Sequence, residues 1–313
     1  MILMNLAQRV RIVGLSAALL LLAGCAGPTP SAGTSAAPGG TLRVTVSAYP
    51  LEFLTQRIVG ETATVTNLTA PGVEPHDLEL TAKQLAELSA SDALVYLEGF
   101  QPAVDQALAA APPKLAIEAT AGLDLLEAEA SEDGDADGHG AHDPHVWLSP
   151  ANMVTMAKTI STALSHAHPE LAGTLEANTA KLTTELTALD TAFRSGLATC
   201  QRQDFVTSHA AFAYLAHEYR LTQIPIAGID ATQEPTAARI AEVQRLAKES
   251  GVTTIFFETL ASPAVAKSIA GDLGLKSAVL DPLEGITEGS AGTDYLEVMQ
   301  SNLKALREAN GCS

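Results

Sequence analysis

Three histidines and one aspartate stand where runs of β-forming residues give way to loops. They are His76 in Gly-Val-Glu-Pro-His-Asp (72–77), His145 in Asp-Pro-His-Val-Trp (143–147), His209 in Thr-Ser-His-Ala (207–210) and Asp281 in Val-Leu-Asp-Pro (279–282). Three imidazoles and one carboxylate complete a tetrahedral set for Zn²⁺ and leave no position for water. A closed set of that kind holds a metal without readily doing chemistry on it. A carrier is therefore expected rather than an enzyme. A lone histidine is more often a satisfied polar residue than a ligand, but four residues at equivalent strand ends, two in each half of the chain, are not explained that way.

Other residues bear on the same site. Glu258 follows the apolar run Ile255-Phe256-Phe257 and is the chief rival ligand, or else an acceptor that orients an imidazole N–H from behind, or simply a neighbour of a helix N-cap. Glu74 lies two residues before His76 and is expected close to it, as another orienting residue or alternative ligand. His139 and His142 fall in an acidic stretch, 126–143, that has no apolar periodicity and reads as a loop. They are either accessory metal-capture residues or incidental members of a solvated loop. His166, His168 and His217 lack strand-end placement and read as structural or surface residues. No His-Glu-x-x-His, Gly-x-Ser-x-Gly or phosphate-loop motif supports a hydrolase.

The elements that must position these residues alternate. In the first half, strands at 42–47, 62–68, 93–97 and 115–117 are interleaved with helices at 51–59, 82–89 and 102–109. In the second, strands at 204–207, 223–227, 253–257 and 277–280 are interleaved with helices at 211–219, 235–249, 263–273 and 294–309. That rhythm predicts an α/β fold of two lobes, each a mainly parallel sheet flanked by helices. Ligands of such sheets bind beyond the carboxyl ends of the strands, which puts the four candidates in a cleft between the lobes. From Pro169, apolar residues at Leu171, Leu175, Leu182, Leu186, Leu189, Phe193 and Leu197 mark one face of a helix. About 30 residues at ~1.5 Å each would span both lobes as one long rigid connection; a break near Asn178 is the alternative. The expected divisions are 1–24, 25–40, 41–168 (first lobe), 169–199 (linking helix) and 200–313 (second lobe).

The N-terminal segments read as targeting. Arg9 and Arg11 precede an apolar run, and Leu22-Ala23-Gly24-Cys25 has the form of a bacterial lipobox. Residues 1–24 are then a signal peptide, Cys25 the lipidated residue, and the Ala/Gly/Pro/Ser/Thr-rich stretch to residue 40 a flexible tether. The protein would sit outside the cytoplasm, attached to the bilayer through Cys25. In that compartment Cys200 and Cys312 are expected to pair, stapling the second half at its two ends. The net charge of −18, more acidic by two units once Arg9 and Arg11 are removed, argues against nucleic acid or anionic lipid as a partner.

These motifs carry a resemblance. The stretches 72–77, 143–150 (Asp-Pro-His-Val-Trp-Leu-Ser-Pro), 207–212 (Thr-Ser-His-Ala-Ala-Phe), 281–283 (Asp-Pro-Leu) and 294–303 resemble the solute-binding lipoproteins of bacterial ABC transporters for zinc and manganese, the ZnuA/TroA type. The resemblance covers about residues 42–310. It implies a metal held between the lobes by His76, His145, His209 and Asp281, and delivered by a monomer to a membrane permease with a separate ATPase. Manganese members generally place Glu where this chain has His209. Imidazole suits zinc and oxygen ligands suit Mn²⁺, so Zn²⁺ is the expected cargo. A manganese or iron importer component, or a metal-binding surface adhesin, is the alternative.

Overall fold

A computed structural model describes residues 41–128 and 142–313. The expected signal peptide, the tether with Cys25, and His139 lie outside the described residues.

The first lobe runs β1 (Leu42–Val46), α1 (Tyr49–Val59), β2 (Ala63–Asn67), α2 (Ala82–Ala90), β3 (Ala93–Tyr96), α3 (Pro102–Ala110) and β4 (Ala116–Glu118). All its strands are parallel, in the order β2-β1-β3-β4, with Val44 opposite Val65 and Val46 opposite Val95. Parallel sheets are covered on both faces by their crossover helices, so central strands are apolar nearly throughout. Val44, Val46, Leu94 and Val95 are accordingly buried, whereas edge strand β2 exposes Thr64 and Thr66. Local chemistry sets the helix starts. Pro50 begins α1, where a missing N–H costs nothing. Thr81 and Gln84 cap α2 reciprocally: the Gln84 N–H donates to the Thr81 hydroxyl (3.3 Å) and the Thr81 N–H to Gln84 Oε1 (2.9 Å).

One long helix ends the first lobe and the next links it to the second. α4 (Pro150–Ala167) starts at Ser149, whose hydroxyl accepts from the Asn152 N–H. A 3₁₀ turn at Pro169–Leu171 precedes α5 (Ala172–Gly196). The expected helix from Pro169 is therefore a turn followed by 25 α-helical residues, about 37 Å at the usual rise. It passes Asn178 without a break; that side chain donates instead to the Ile58 carbonyl at 3.1 Å. Its buried face includes Leu175, Leu182, Leu186, Leu189 and Phe193, and it packs on α1 and α4 and on the last helix of the chain, Tyr295–Asn310.

The second lobe repeats the plan: β5 (Asp204–Thr207), α6 (Ala213–Tyr219), β6 (Thr222–Pro225), α7 (Ala237–Glu249), β7 (Thr254–Phe257), α8 (Ala264–Leu273), β8 (Lys276–Val279) and α9 (Tyr295–Asn310). Its parallel order is β6-β5-β7-β8. In both sheets the order reverses beside the first strand, which opens a crevice beyond the strands' carboxyl ends. One apolar core continues from Val46 and Leu54 through Ile160, Leu186 and Phe193 to Phe205 and Tyr295, so the lobes share their interior along α4 and α5. A smaller cluster of Val206, Ile224, Val243, Ile255 and Ile269 seats α7 and α8 on the second sheet.

Cys200 and Cys312 form a disulfide, as expected, joining the approach to β5 with the end of α9 across 112 positions of sequence. Closing so long a loop removes entropy chiefly from the unfolded chain. The double substitution Cys200→Ser/Cys312→Ser is expected to lower unfolding stability by about 2–5 kcal/mol. Guanidinium titration of the variant beside the oxidised parent measures this, and coincident midpoints would show that the bond constrains nothing.

Candidate metal centre

Each site residue follows a strand of one of the two sheets. His76 lies in the loop after β2, and His145 caps the 3₁₀ turn Val146–Leu148 that leads into α4. His209 lies two residues past the end of β5. All three are buried, His145 completely at 0% exposure. Their Nε2 atoms converge on one carboxylate oxygen, that of Glu284 and not of Asp281. Glu284 Oε1 is 3.1 Å from His145 Nε2, 3.3 Å from His209 Nε2 and 3.5 Å from His76 Nε2. His76 Nε2 and His145 Nε2 are themselves 3.3 Å apart. Ligands about 2.0–2.1 Å from a tetrahedral zinc ion stand roughly 3.3 Å from one another. The donors therefore have the spacing of a zinc coordination shell. Glu284 also belongs to both trios whose donor atoms lie close enough to share an ion: His76, His145 and Glu284, and His209, Glu258 and Glu284.

Asp281 does not reach this cluster. Its Oδ1 accepts from the Leu283 N–H (2.9 Å), and its Oδ2 accepts from the hydroxyls of Ser290 (3.0 Å) and Thr259 (3.2 Å). Asn302 holds its backbone from both sides, accepting from the Asp281 N–H and donating to its carbonyl. Asp281 thus braces the turn after β8, and Leu283 within that turn has a left-handed φ of 58°. That conformation is uncommon for a residue with a side chain. The next residue, Glu284, takes the place among the imidazoles that was expected of Asp281. The sequence offers no periodicity or motif that marks Glu284; only its position beyond the end of a strand could have suggested it.

Carboxylates behind the imidazoles set the tautomers. His145 Nδ1 donates to Asp143 Oδ1 at 2.8 Å, and the His145 backbone N–H reaches the same oxygen at 2.8 Å. His209 Nδ1 donates to Glu258 Oε1 at 2.5 Å, and Ser208 donates to that oxygen as well. With Nδ1–H so committed, the Nε2 lone pairs face the centre, which is the arrangement a metal requires. Glu258 therefore stands behind His209, the second of its three expected roles. Glu74 accepts from the His76 backbone N–H at 3.3 Å, and burial together with Glu284 pushes its carboxyl up to about 8. Asp143 was present in the motif around His145, but its position two residues before the imidazole does not by itself reveal its role. Phe100 and Trp147 enclose the imidazoles: Phe100 meets His76 edge-on with centroids 4.8 Å apart, and Trp147 lies 5.2 Å from His145.

The electrostatics follow from these contacts. Burial raises the Glu284 carboxyl, but the His209, His145 and His76 imidazoles overcome this and hold it well below the usual carboxylate range. Burial lowers His209, yet Glu258 and Glu284 carry it well above the usual imidazole value. His145 is raised too, because Asp143 and Glu284 outweigh its burial, whereas burial dominates at His76 and lowers it. Positive charge is thus favoured at the centre of the cluster.

The remaining histidines among the described residues lie elsewhere. His142 is exposed and forms an isolated antiparallel bridge with Glu127. His166 and His217 are exposed on helices, and His168 pairs with Glu170 at 3.4 Å.

Over residues 44–309 the chain matches the family described as zinc-uptake complex component A, periplasmic. It is 38% identical over 280 residues to the zinc-binding lipoprotein AdcA of Streptococcus pneumoniae, covering 86% of this chain and 56% of that relative. The chain thus spans little more than half the length of AdcA. It is 35% identical over 306 residues to the high-affinity zinc uptake system protein ZnuA of Bacillus subtilis, covering 94% of this chain and 95% of the relative. The crystal structure of the Zn(II)-bound ZnuA-like domain of S. pneumoniae AdcA superposes with a TM-score of 0.74 at 37% identity, covering 87% of this chain and 99% of the other. The two parallel-sheet lobes, the long connecting helix and the cleft between them are therefore those of the zinc-uptake component A family, to which this chain belongs.

Proposed function

We propose that this chain binds Zn²⁺ outside the cytoplasm and delivers it to an ABC-type membrane permease served by a separate ATPase. The observation that carries this reading is the convergence of three imidazole Nε2 atoms on one buried carboxylate oxygen at 3.1 Å, 3.3 Å and 3.5 Å. The ligands are His76, His145, His209 and Glu284, with Asp143 and Glu258 orienting two of the imidazoles. Three nitrogens and one oxygen suit zinc better than manganese. Four protein donors leave no coordination position for a reacting water, so the site carries an ion rather than catalysing a reaction. Zinc-binding and zinc-uptake relatives support the same reading.

In this account residues 1–24 are removed and Cys25 carries the lipid anchor. Residues 25–40 are a tether, and the protein acts as a monomer. The lobes 41–168 and 200–313, joined by 169–199, each supply two ligands. The loop carrying His142 and His139 would capture metal only in passing, before the buried site takes it.

Equilibrium titration of the stripped protein tests the ligand set. His209→Ala and Glu284→Gln are expected to weaken zinc binding the most. Glu258→Gln should weaken it by about 10–100-fold, the usual effect of losing an orienting partner. Asp281→Asn should fall short of Glu284→Gln, and exposed His217→Ala should match the parent. An Asp281→Asn defect larger than that of Glu284→Gln would reverse the assignment.

Zinc binding should also depend on pH in a defined direction. His145 and His209 hold protons above the usual imidazole range in the metal-free protein, and a metal-bound imidazole is neutral. Binding must then release protons, and affinity should keep rising with pH above 6.5, the ordinary imidazole value. Calorimetry in buffers of differing ionisation enthalpy reads the protons released. An enthalpy independent of buffer would contradict the account.

A further inference from the structure

A cavity of about 320 Å³ lies between the lobes, with Tyr49, Glu52, Asn67 and Ala70 from the first lobe and Glu284 and Asp294 from the second among its lining residues. Glu284 is the only one of the four converging residues in its described lining. Its Oε1 faces the imidazoles, while Oε2 is buried and has no hydrogen-bond partner. An acceptor left in that state is costly, and a cation approaching from the cavity would satisfy it. The larger cavity beside β3 and β4, about 730 Å³, has none of the four converging residues in its described lining.

The wall of the smaller cavity is acidic. Glu52, half-buried, is fixed by Asn67 Nδ2 and Gln56 Nε2, each at 2.9 Å. Asp294, half-buried on the facing lobe, accepts from the Glu297 N–H at 2.9 Å as the cap of α9. Tyr49 lies close to both: burial raises its hydroxyl, and the charges of Asp294 and Glu52 raise it further. No Lys or Arg is among the described lining residues. A cleft lined by one sign of charge focuses the field and raises the rate at which oppositely charged solutes arrive, by about 10–1,000-fold in strong cases.

We infer that this cleft is the passage through which a divalent cation reaches the buried site, with Glu52 and Asp294, one on each lobe, drawing it from solvent and Glu284 receiving it. The inference rests on the zinc-binding reading above and adds the route and the residues that govern its rate. Glu52→Gln/Asp294→Asn removes both charges; Asn caps a helix about as well as Asp, and the amide introduced at position 52 keeps one of the two hydrogen bonds that Glu52 accepts from Gln56 and Asn67. Ala70→Lys, at an exposed wall position, places a cation in the passage without touching either carboxylate.

Stopped-flow mixing of stripped full-length protein with Zn²⁺, followed by the emission of Trp147, the one tryptophan in the sequence, measures the association rate. Both variants should associate about tenfold more slowly at low ionic strength, the gap narrowing as salt screens the field. Each should still take up one equivalent at saturation. Glu249→Gln/Glu308→Gln, which removes two exposed charges from other faces, should keep the parental rate. Parental rates in both passage variants, with zinc still bound, would overturn the passage alone. Equal slowing in the control pair would overturn it too, by reducing the effect to net charge. A parent that takes up no zinc would instead remove the function on which the passage rests.

Discussion

The structure is organised around a buried carboxylate that needs a positive partner. Glu284 is 1% exposed and stands among three imidazoles, with Asp143 and Glu258 also buried just behind them. Charges of one sign taken out of water are tolerated only when paired. Protons on the imidazoles can serve, but the spacing of the Nε2 and carboxylate donors matches a tetrahedral metal better than it matches a proton shared by four groups. The first lobe contributes His76 and His145, and the second contributes His209 and Glu284. A cation held by all four is therefore also a crosslink between the lobes.

The rest of the fold makes that crosslink geometrically possible. Two parallel sheets of like order turn their carboxyl ends toward each other, so loops after β2, β4, β5 and β8 meet in one place. α5 keeps the lobes in register because its buried face belongs to the core of both. Direct hydrogen bonds complete the union close to the site. Trp147 Nε1 donates to the Pro282 carbonyl at 2.7 Å, and the Tyr295 hydroxyl donates to the Trp147 carbonyl at 2.6 Å. Tyr214 reaches across from α6 to the Asp143 carbonyl at 3.0 Å. Trp147 is two residues beyond His145, and Pro282 two residues before Glu284. The polar bond between them thus couples the segments that carry His145 and Glu284 from opposite lobes.

Much of this was legible in the sequence because its causes are local. Alternating apolar runs and amphipathic stretches placed nearly every strand and helix within a few residues, and the leucine spacing of α5 marked its buried face. The three histidines could be read because each is a rare residue at the end of an apolar run. Glu284 could not, because its placement depends on a left-handed backbone at Leu283 that no residue type there announces. Asp281 looked like the ligand since it ends the strand; its hydrogen bonds to Leu283, Ser290 and Thr259 show it committed to shaping that turn. Glu258 and Asp143 were visible as carboxylates near histidines, but only their distances to the Nδ1 atoms distinguish an orienting partner from a ligand. The passage between the lobes arises from residues 49–70 and 284–294 meeting in space, which no local pattern encodes.

The central claim is that one metal ion joins the two lobes through three imidazole nitrogens and the Glu284 carboxylate. Diffraction from crystals of the zinc-loaded protein on either side of the zinc absorption edge locates the ion without reference to any assumed ligand. The account predicts a single strong anomalous peak about 2.0–2.2 Å from Nε2 of His76, His145 and His209 and from an oxygen of Glu284. A peak bonded to Asp281 in place of Glu284, or one confined to a single lobe, would contradict it.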